Sequence, residues 1–186
     1  MRKSADRYRK SLIGIAAVAV CAVSAFGSEH VLGASMTDGT YTVGENWSED
    51  TDLSTETEKV YKKAEMLESD ETSTISCSFI DTNYTAMDYE QLRDMLTNNL
   101  IYSSPNASIS VSATYTDAKD YLYVLVADDS AQNYREIYYY VVGDMECFVA
   151  EVKEYREEAQ AASENAEDTP EAVGAEIAKT FVWTYS

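Results

Sequence analysis

The sequence predicts an α+β domain in which an antiparallel meander sheet is covered by helices. Three observations predict it. Apolar and polar residues alternate at Thr74–Phe79 and Ser108–Tyr115, the period of strands with one buried face. The runs Tyr121–Ala127 and Ile137–Val142 are apolar at nearly every position, as in strands covered on both faces. Residues 86–100 and 170–181 carry apolar side chains at helical spacing. Short polar loops between consecutive strands favour antiparallel neighbours, with the two helices laid over them.

In chain order, the first 27 residues come apart from the rest. Arg2, Lys3, Arg7, Arg9 and Lys10 stand against Asp6, and the apolar run Ser11–Gly27 follows. This is the pattern of a secretory signal, with small residues placed for cleavage after Ala25 or after Gly27. The mature N-terminus is therefore expected between residues 26 and 35. The other reading is an uncleaved membrane anchor, for which 17 apolar or small residues are at the short limit. A lipoprotein cleavage at Cys21 is discounted because Val20 stands where a small residue is required. Residues 28–37 read as a tether without periodicity, and 38–186 as a single α+β domain.

Within that domain Asp38-Gly39 is a turn signal before a brief strand, Thr40–Val43. Residues 48–57 read as an acidic loop, and residues 58–67 lean to strand because Val60 and Tyr61 open their apolar part. Thr85 with Asp88 three residues on is a capping-box variant ahead of Leu92, Met95, Leu96 and Leu100. Gly143-Asp144 reads as a two-residue hairpin loop, pairing Val142 with Met145 and so setting Tyr140 opposite Cys147. Residues 151–168 are rich in Glu and Ala; they could prolong the strand and then form a helix or a loop. Asp168, Pro170 and Glu171 mark the start of the last helix, with Val173, Ile177 and Phe181 on one face. In a simple meander Cys77 and Cys147 lie four strands apart, roughly 19 Å, so two buried thiols are expected instead of a disulfide.

This order of elements resembles the PsbP-like fold, named for an extrinsic photosystem subunit and found in many exported bacterial domains. The residues that carry the likeness are Tyr41-Thr42-Val43, Trp47, the helix at 86–100, the meander at 108–152, and Ile177 with Thr180-Phe181-Val182-Trp183. The resemblance implies a PsbP-like sandwich over nearly all of residues 38–186 and a role in binding or assembly. It supplies no catalytic residue.

Charge and composition narrow the chemistry. Taking the leader's five basic residues and one acid from the chain's 14 and 33 leaves 9 basic residues and 32 acids, a net of −23. Such a surface repels nucleic-acid phosphates and anionic lipid, so no nucleic-acid partner is expected, and a membrane only through an uncleaved leader. The one histidine, His30, lies outside the predicted domain, which leaves that domain without a histidine base or ligand. No Walker A or GxGxxG pattern is present.

Carboxylate pairs and calcium remain as candidate chemistry. Asp117, Asp120, Asp128, Asp129 and Asp144 are weak candidate calcium ligands on predicted turns; turn propensity explains them as well, and no cofactor is expected. Fifteen tyrosines against four phenylalanines are the other excess, and Tyr121, Tyr123, Tyr138, Tyr139 and Tyr140 form the candidate contact surface for a protein or glycan. The bland alternative is that these tyrosines simply pack a sheet. Asn46-Trp47-Ser48, Asn83-Tyr84-Thr85 and Asn106-Ala107-Ser108 match the glycosylation sequon, which matters only in a eukaryotic secretory pathway. The expected function is a non-enzymatic exported binding or accessory domain, with a carboxylate-based hydrolase or calcium-dependent module as the alternative.

Overall fold

A computed structural model describes residues 32–36, 38–68, 71–161 and 166–184. The leader and parts of the tether therefore lie outside the described residues. Among the described residues ten strands and three α-helices follow one another: β1 Leu32–Met36, β2 Gly39–Val43, β3 Trp47–Glu49, β4 Glu58–Lys63, β5 Thr74–Asp81, α1 Tyr89–Ser103, β6 Ser108–Tyr115, β7 Tyr121–Asp128, β8 Tyr134–Val142, β9 Glu146–Tyr155, α2 Arg156–Ala161, α3 Pro170–Thr180 and β10 Val182–Trp183. The main sheet has the order β3-β4-β5-β9-β8-β7-β6, and β1-β2-β10 form a small second sheet. The fold is α+β and antiparallel, as the sequence predicts.

Two local readings change. The stretch expected to be a featureless tether contains β1, paired with β2 from Leu32↔Val43 to Met36↔Gly39. The meander β6-β7-β8-β9 is present, but its last strand, not its first, joins β5. The chain leaves β5, crosses by α1 to the far edge and works back, so β9 closes the gap between β5 and β8. Period-2 patterning specifies which face a strand buries but not which neighbour it takes.

This placement revises the argument about the cysteines while leaving both thiols free and buried. Cys77 pairs with Ala150 and Cys147 with Ile80, so the two are on adjacent strands, three positions apart in register. An odd offset puts their side chains on opposite faces of the sheet. Cys77 accordingly lies in one core and Cys147 in the other. The barrier to a disulfide is the sheet itself, not a distance of four strands.

Each face of the main sheet has its own core. On one side α3 and the small sheet bury Tyr41, Val43, Trp47, Tyr61, Ile75, Phe148, Val152, Ile177 and Phe181. On the other, Leu92, Leu96 and Leu100 of α1 pack on Tyr123, Leu125 and Ala127 of β7. Thr85 and Asp88 form the expected reciprocal capping box, here on a short 3-10 turn at 86–88 that leads into α1. The Glu/Ala-rich segment prolongs β9 to Tyr155 and then turns into α2.

The β8–β9 turn is one place where register departs from expectation. Val142 pairs with Cys147, and Gly143 N–H donates to the Glu146 carbonyl at 2.9 Å, so the loop residues are Asp144 and Met145. The shift is two positions, which keeps every side chain on its predicted face. Met145 takes the left-handed backbone (φ 67°), a position where glycine is ordinary. It is held there from outside the hairpin: its N–H donates to the Tyr84 carbonyl at 3.0 Å, and its carbonyl accepts from Thr82 N–H at 2.7 Å.

Gly174 sets how closely α3 lies on the sheet. A β-carbon there would stand 2.3 Å from Val152 Cγ2 and 3.2 Å from Tyr139 Cε2, both in the core. Gly174→Ala must therefore push α3 off β8 and β9, an overpacking cost of about 2 kcal/mol. Its melting temperature, followed by circular dichroism, should fall by about 4–8 °C. An unchanged melting temperature would show that the helix is not seated on the strands as described.

Candidate functional site

The predicted aspartates do not converge. Asp117 and Asp120 sit in the β6–β7 turn, Asp144 in the β8–β9 turn, and Asp128 and Asp129 at the other end of the meander. Most have local work. Asp117 lies 4.0 Å from Lys179 Nζ, Asp120 N–H donates to Thr116 Oγ1 at 3.1 Å, and Asp129 Oδ1 accepts from Ala131 N–H at 2.9 Å. Asp128 is ion-paired with Arg156. Among the described residues no group of three or more His, Cys, Asp or Glu is placed to hold a metal ion.

The five candidate tyrosines divide between the two faces. Tyr139 points into the α3 core, where its hydroxyl donates to the Glu171 carbonyl at 3.1 Å. Tyr123 is buried under α1, its hydroxyl donating to the Tyr89 carbonyl at 2.8 Å. Tyr121 is half-buried, stacked on Tyr89 at a ring separation of 4.5 Å. Tyr138 and Tyr140 remain: both are half-buried, and their rings stack at 6.1 Å and 13°.

Those two rings belong to a wider surface. On this face of the sheet helix α1 lies chiefly over β6 and β7; its leucines share a core with Val142 of β8 and Cys147 and Val149 of β9, and Tyr138 and Tyr140 sit at that core's margin. Alternation sends Tyr134, Glu136, Tyr138 and Tyr140 of β8 to that face, along with Val149, Glu151, Lys153 and Tyr155 of β9. Register sets Tyr138 beside Glu151 and Glu136 beside Lys153, and it places Ser76 and Ser78 of β5 next to Glu151 and Val149. Lys153 Nζ stands 4.3 Å from the Tyr134 ring centre and 5.2 Å from that of Tyr155, a cation held between two aromatic faces.

The electrostatics of this floor are asymmetric. Burial raises the pKa of the Glu151 carboxyl, and the negative charges of Glu136 and Glu58 add to the shift. Hydrogen bonding to Tyr138 and the charge of Lys153 oppose it without overcoming it. The Tyr138 hydroxyl donates to Glu136 Oε2 at 3.2 Å, and burial, then Glu151 and Glu136, drive its own pKa up, so the phenol stays protonated. Two carboxylates flanking a stacked tyrosine pair are suited to a cation. They are poorly suited to an anion.

A second ionic cluster, which sequence reasoning missed, lies on the opposite face. Glu154 is 1% exposed; its Oε2 accepts from Arg135 Nε at 2.6 Å and its Oε1 from Glu171 N–H at 3.3 Å. Arg135 also reaches Glu171 Oε2 at 2.6 Å. These bonds fasten the first turn of α3 to β8 and β9, a structural task. The available signal was Glu154 among alternating apolar residues of a strand: a charge at a core position implies a partner.

An open cleft of about 280 Å³ lies beside this end of the sheet, lined in part by Ser103, Asn106, Gln132, Tyr134 and Glu136. It is shallow and polar, without a converging nucleophile and base. A second cleft near Asp50, Lys62 and Glu68 holds the Lys62–Asp50 ion pair at 2.9 Å.

With the geometry in place, the class of fold can be stated: it is PsbP-like. The structure is similar to the solution structure of cyanobacterial PsbP (CyanoP) from Synechocystis sp. PCC 6803, with a TM-score of 0.50 and 10% sequence identity over 87% of this chain and 97% of that one. Of the residues that carried the resemblance, Tyr41, Trp47, Ile177 and Phe181 pack together in one core, while the helix at 86–100 packs in the other. No protein-family model matches the sequence, and no curated protein does either.

The raised Glu151 carboxyl has a measurable signature. Its folded pKa lies above the unfolded one, so its ionisation opposes folding once pH rises through that range; below the unfolded value the opposition vanishes. Glu151→Gln should therefore melt higher than the wild type at pH 7.5 and equal to it near pH 3.5. A variant that melts lower at pH 7.5 would mean that Glu151 contributes net stability and is not a strained group.

Proposed function

We propose that this chain is an exported, non-enzymatic binding domain whose contact surface is the open sheet face around Tyr138 and Tyr140, and whose partner presents Lys or Arg side chains. Export rests on the leader-like first 27 residues. The observation that carries the contact surface is geometric: the half-buried Tyr138 and Tyr140 rings stack at 6.1 Å at the margin of the α1 core, with Glu151 beside Tyr138 in register and Glu136 accepting its hydroxyl. Burial also raises the pKa of the Glu151 carboxyl, and shifted carboxyls in a surface cluster are candidates for use. Tyrosine supplies contact area at low entropy cost, and an ammonium or guanidinium can lie on its ring while the carboxylates pair with the charge. Lys153 between Tyr134 and Tyr155 is an internal example of that arrangement. The chain's net charge of −19 steers a basic segment toward it and an acidic one away.

The test uses decalysine as the cationic probe, titrated calorimetrically at 150 mM salt. The double substitution Glu136→Gln/Glu151→Gln should weaken binding about tenfold, the effect of losing two close charge pairs. Glu65→Gln/Glu90→Gln removes the same charge from exposed positions elsewhere and should change affinity less than about twofold. Equal losses in the two variants would reduce the effect to net charge and reject this face as the site.

A further inference from the structure

Strand β6 ends the main sheet, pairing with β7 alone among the described strands. It is eight residues long, SISVSATY, without a charge or a proline. Natural edge strands are usually shortened, charged or interrupted, because an open ladder invites pairing with another chain. The opposite edge follows that practice: β3 has only three residues, and its Glu49 is ion-paired with Lys59. Val111 and Tyr115, expected from alternation to face the core, are 38% and 52% exposed.

The ladder shows which groups point outward. Thr116 N–H donates to the Asp120 carbonyl at 3.0 Å, so residues 116 and 120 are a bonded pair. Bonded pairs recur every second residue in an antiparallel ladder, so Ser108, Ser110, Ser112 and Thr114 bond toward β7. Ile109, Val111, Ala113 and Tyr115 therefore direct their N–H and C=O groups to the open edge.

We propose that this edge pairs with the same edge of a second copy of the chain, antiparallel and centred on Ser112, joining two main sheets into one. A two-fold axis there sets Val111 against Ala113 and Ile109 against Tyr115 on one face. On the other it sets Ser110 against Thr114 and Ser112 against itself. Apolar meets apolar and hydroxyl meets hydroxyl, and all four outward residues gain ladder bonds, about eight in all. The absence of charge selects a like partner: each acidic copy offers the other the one long strand, among those described, that carries no carboxylate, while its net charge is screened beyond about 8 Å at physiological salt. Because the other edge is short and charged, assembly closes at two.

Sedimentation velocity from about 5 µM to 1 mM in 150 mM salt should show monomer giving way to dimer, with a midpoint on the order of 100 µM for so small an interface. Ala113→Pro deletes an outward donor and spares the bonds to β7. It should remain monomeric at 1 mM, with a circular dichroism spectrum like that of the wild type. Val111→Lys makes the same test without constraining the backbone and should also be monomeric. A wild-type protein that stays monomeric at 1 mM, a mass that grows past two copies, or a dimer undiminished in both variants would overturn the proposal.

Discussion

The rest of the structure depends on β9 lying between β5 and β8. Its residues pair on both sides, from Asp81↔Glu146 to Thr74↔Lys153 on one edge and from Val142↔Cys147 to Tyr134↔Tyr155 on the other. Its alternate side chains enter two different cores. Phe148, Ala150 and Val152 face α3, while Cys147 and Val149 face the α1 side. Without that strand the β6-β7-β8 meander would have no ladder connection to β3-β4-β5. With it, neither core can open without losing ladder bonds that the other also needs.

The same strand explains why one face is finished and the other is not. Toward α3, the β9 row is apolar and closely packed, with the Phe148 and Phe181 rings 4.1 Å apart and Gly174 letting the helix approach. At its far end Glu154 ties β8 to α3 through Arg135 and the Glu171 N–H. On the other face α1 lies chiefly over β6 and β7, and the β9 row changes from the buried Cys147 and Val149 to the half-buried Glu151, Lys153 and Tyr155. Polar residues appear where the roof stops. What this arrangement adds beyond solubility is a carboxyl that burial pushes up in pKa, next to rings that a cation can use.

Much of the fold was legible in the sequence because period and punctuation are local. Alternation placed β5 and β6, the unbroken apolar runs placed β7 and β8, and Thr85 with Asp88 and Asp168 with Pro170 and Glu171 placed the helix starts, though the cap of the last helix is Thr169. What stayed hidden was long-range. Nothing near Cys147 says that its neighbour is Ile80, since β9 reaches β5 only after a helix and three strands intervene. The hairpin turn misled because Gly143-Asp144 read as the two-residue loop, whereas the loop is Asp144-Met145, with Met145 in the left-handed backbone and hydrogen-bonded to Thr82 and Tyr84. The candidate site was legible only in part. Tyrosine-rich strands were visible, but which rings are buried depends on parity and on how far α1 extends. Glu151 gave no local sign among so many acids.

Native-state hydrogen exchange tests the role of β9 most directly, because it reports the free energy of opening strand by strand. The account predicts that the paired amides of β9 exchange only through global unfolding, at the full unfolding free energy measured by denaturant, together with those of β5 and β8. If β9 amides exchanged through a lower-energy opening while β7 and α3 stayed protected, the strand would not be what joins the two cores.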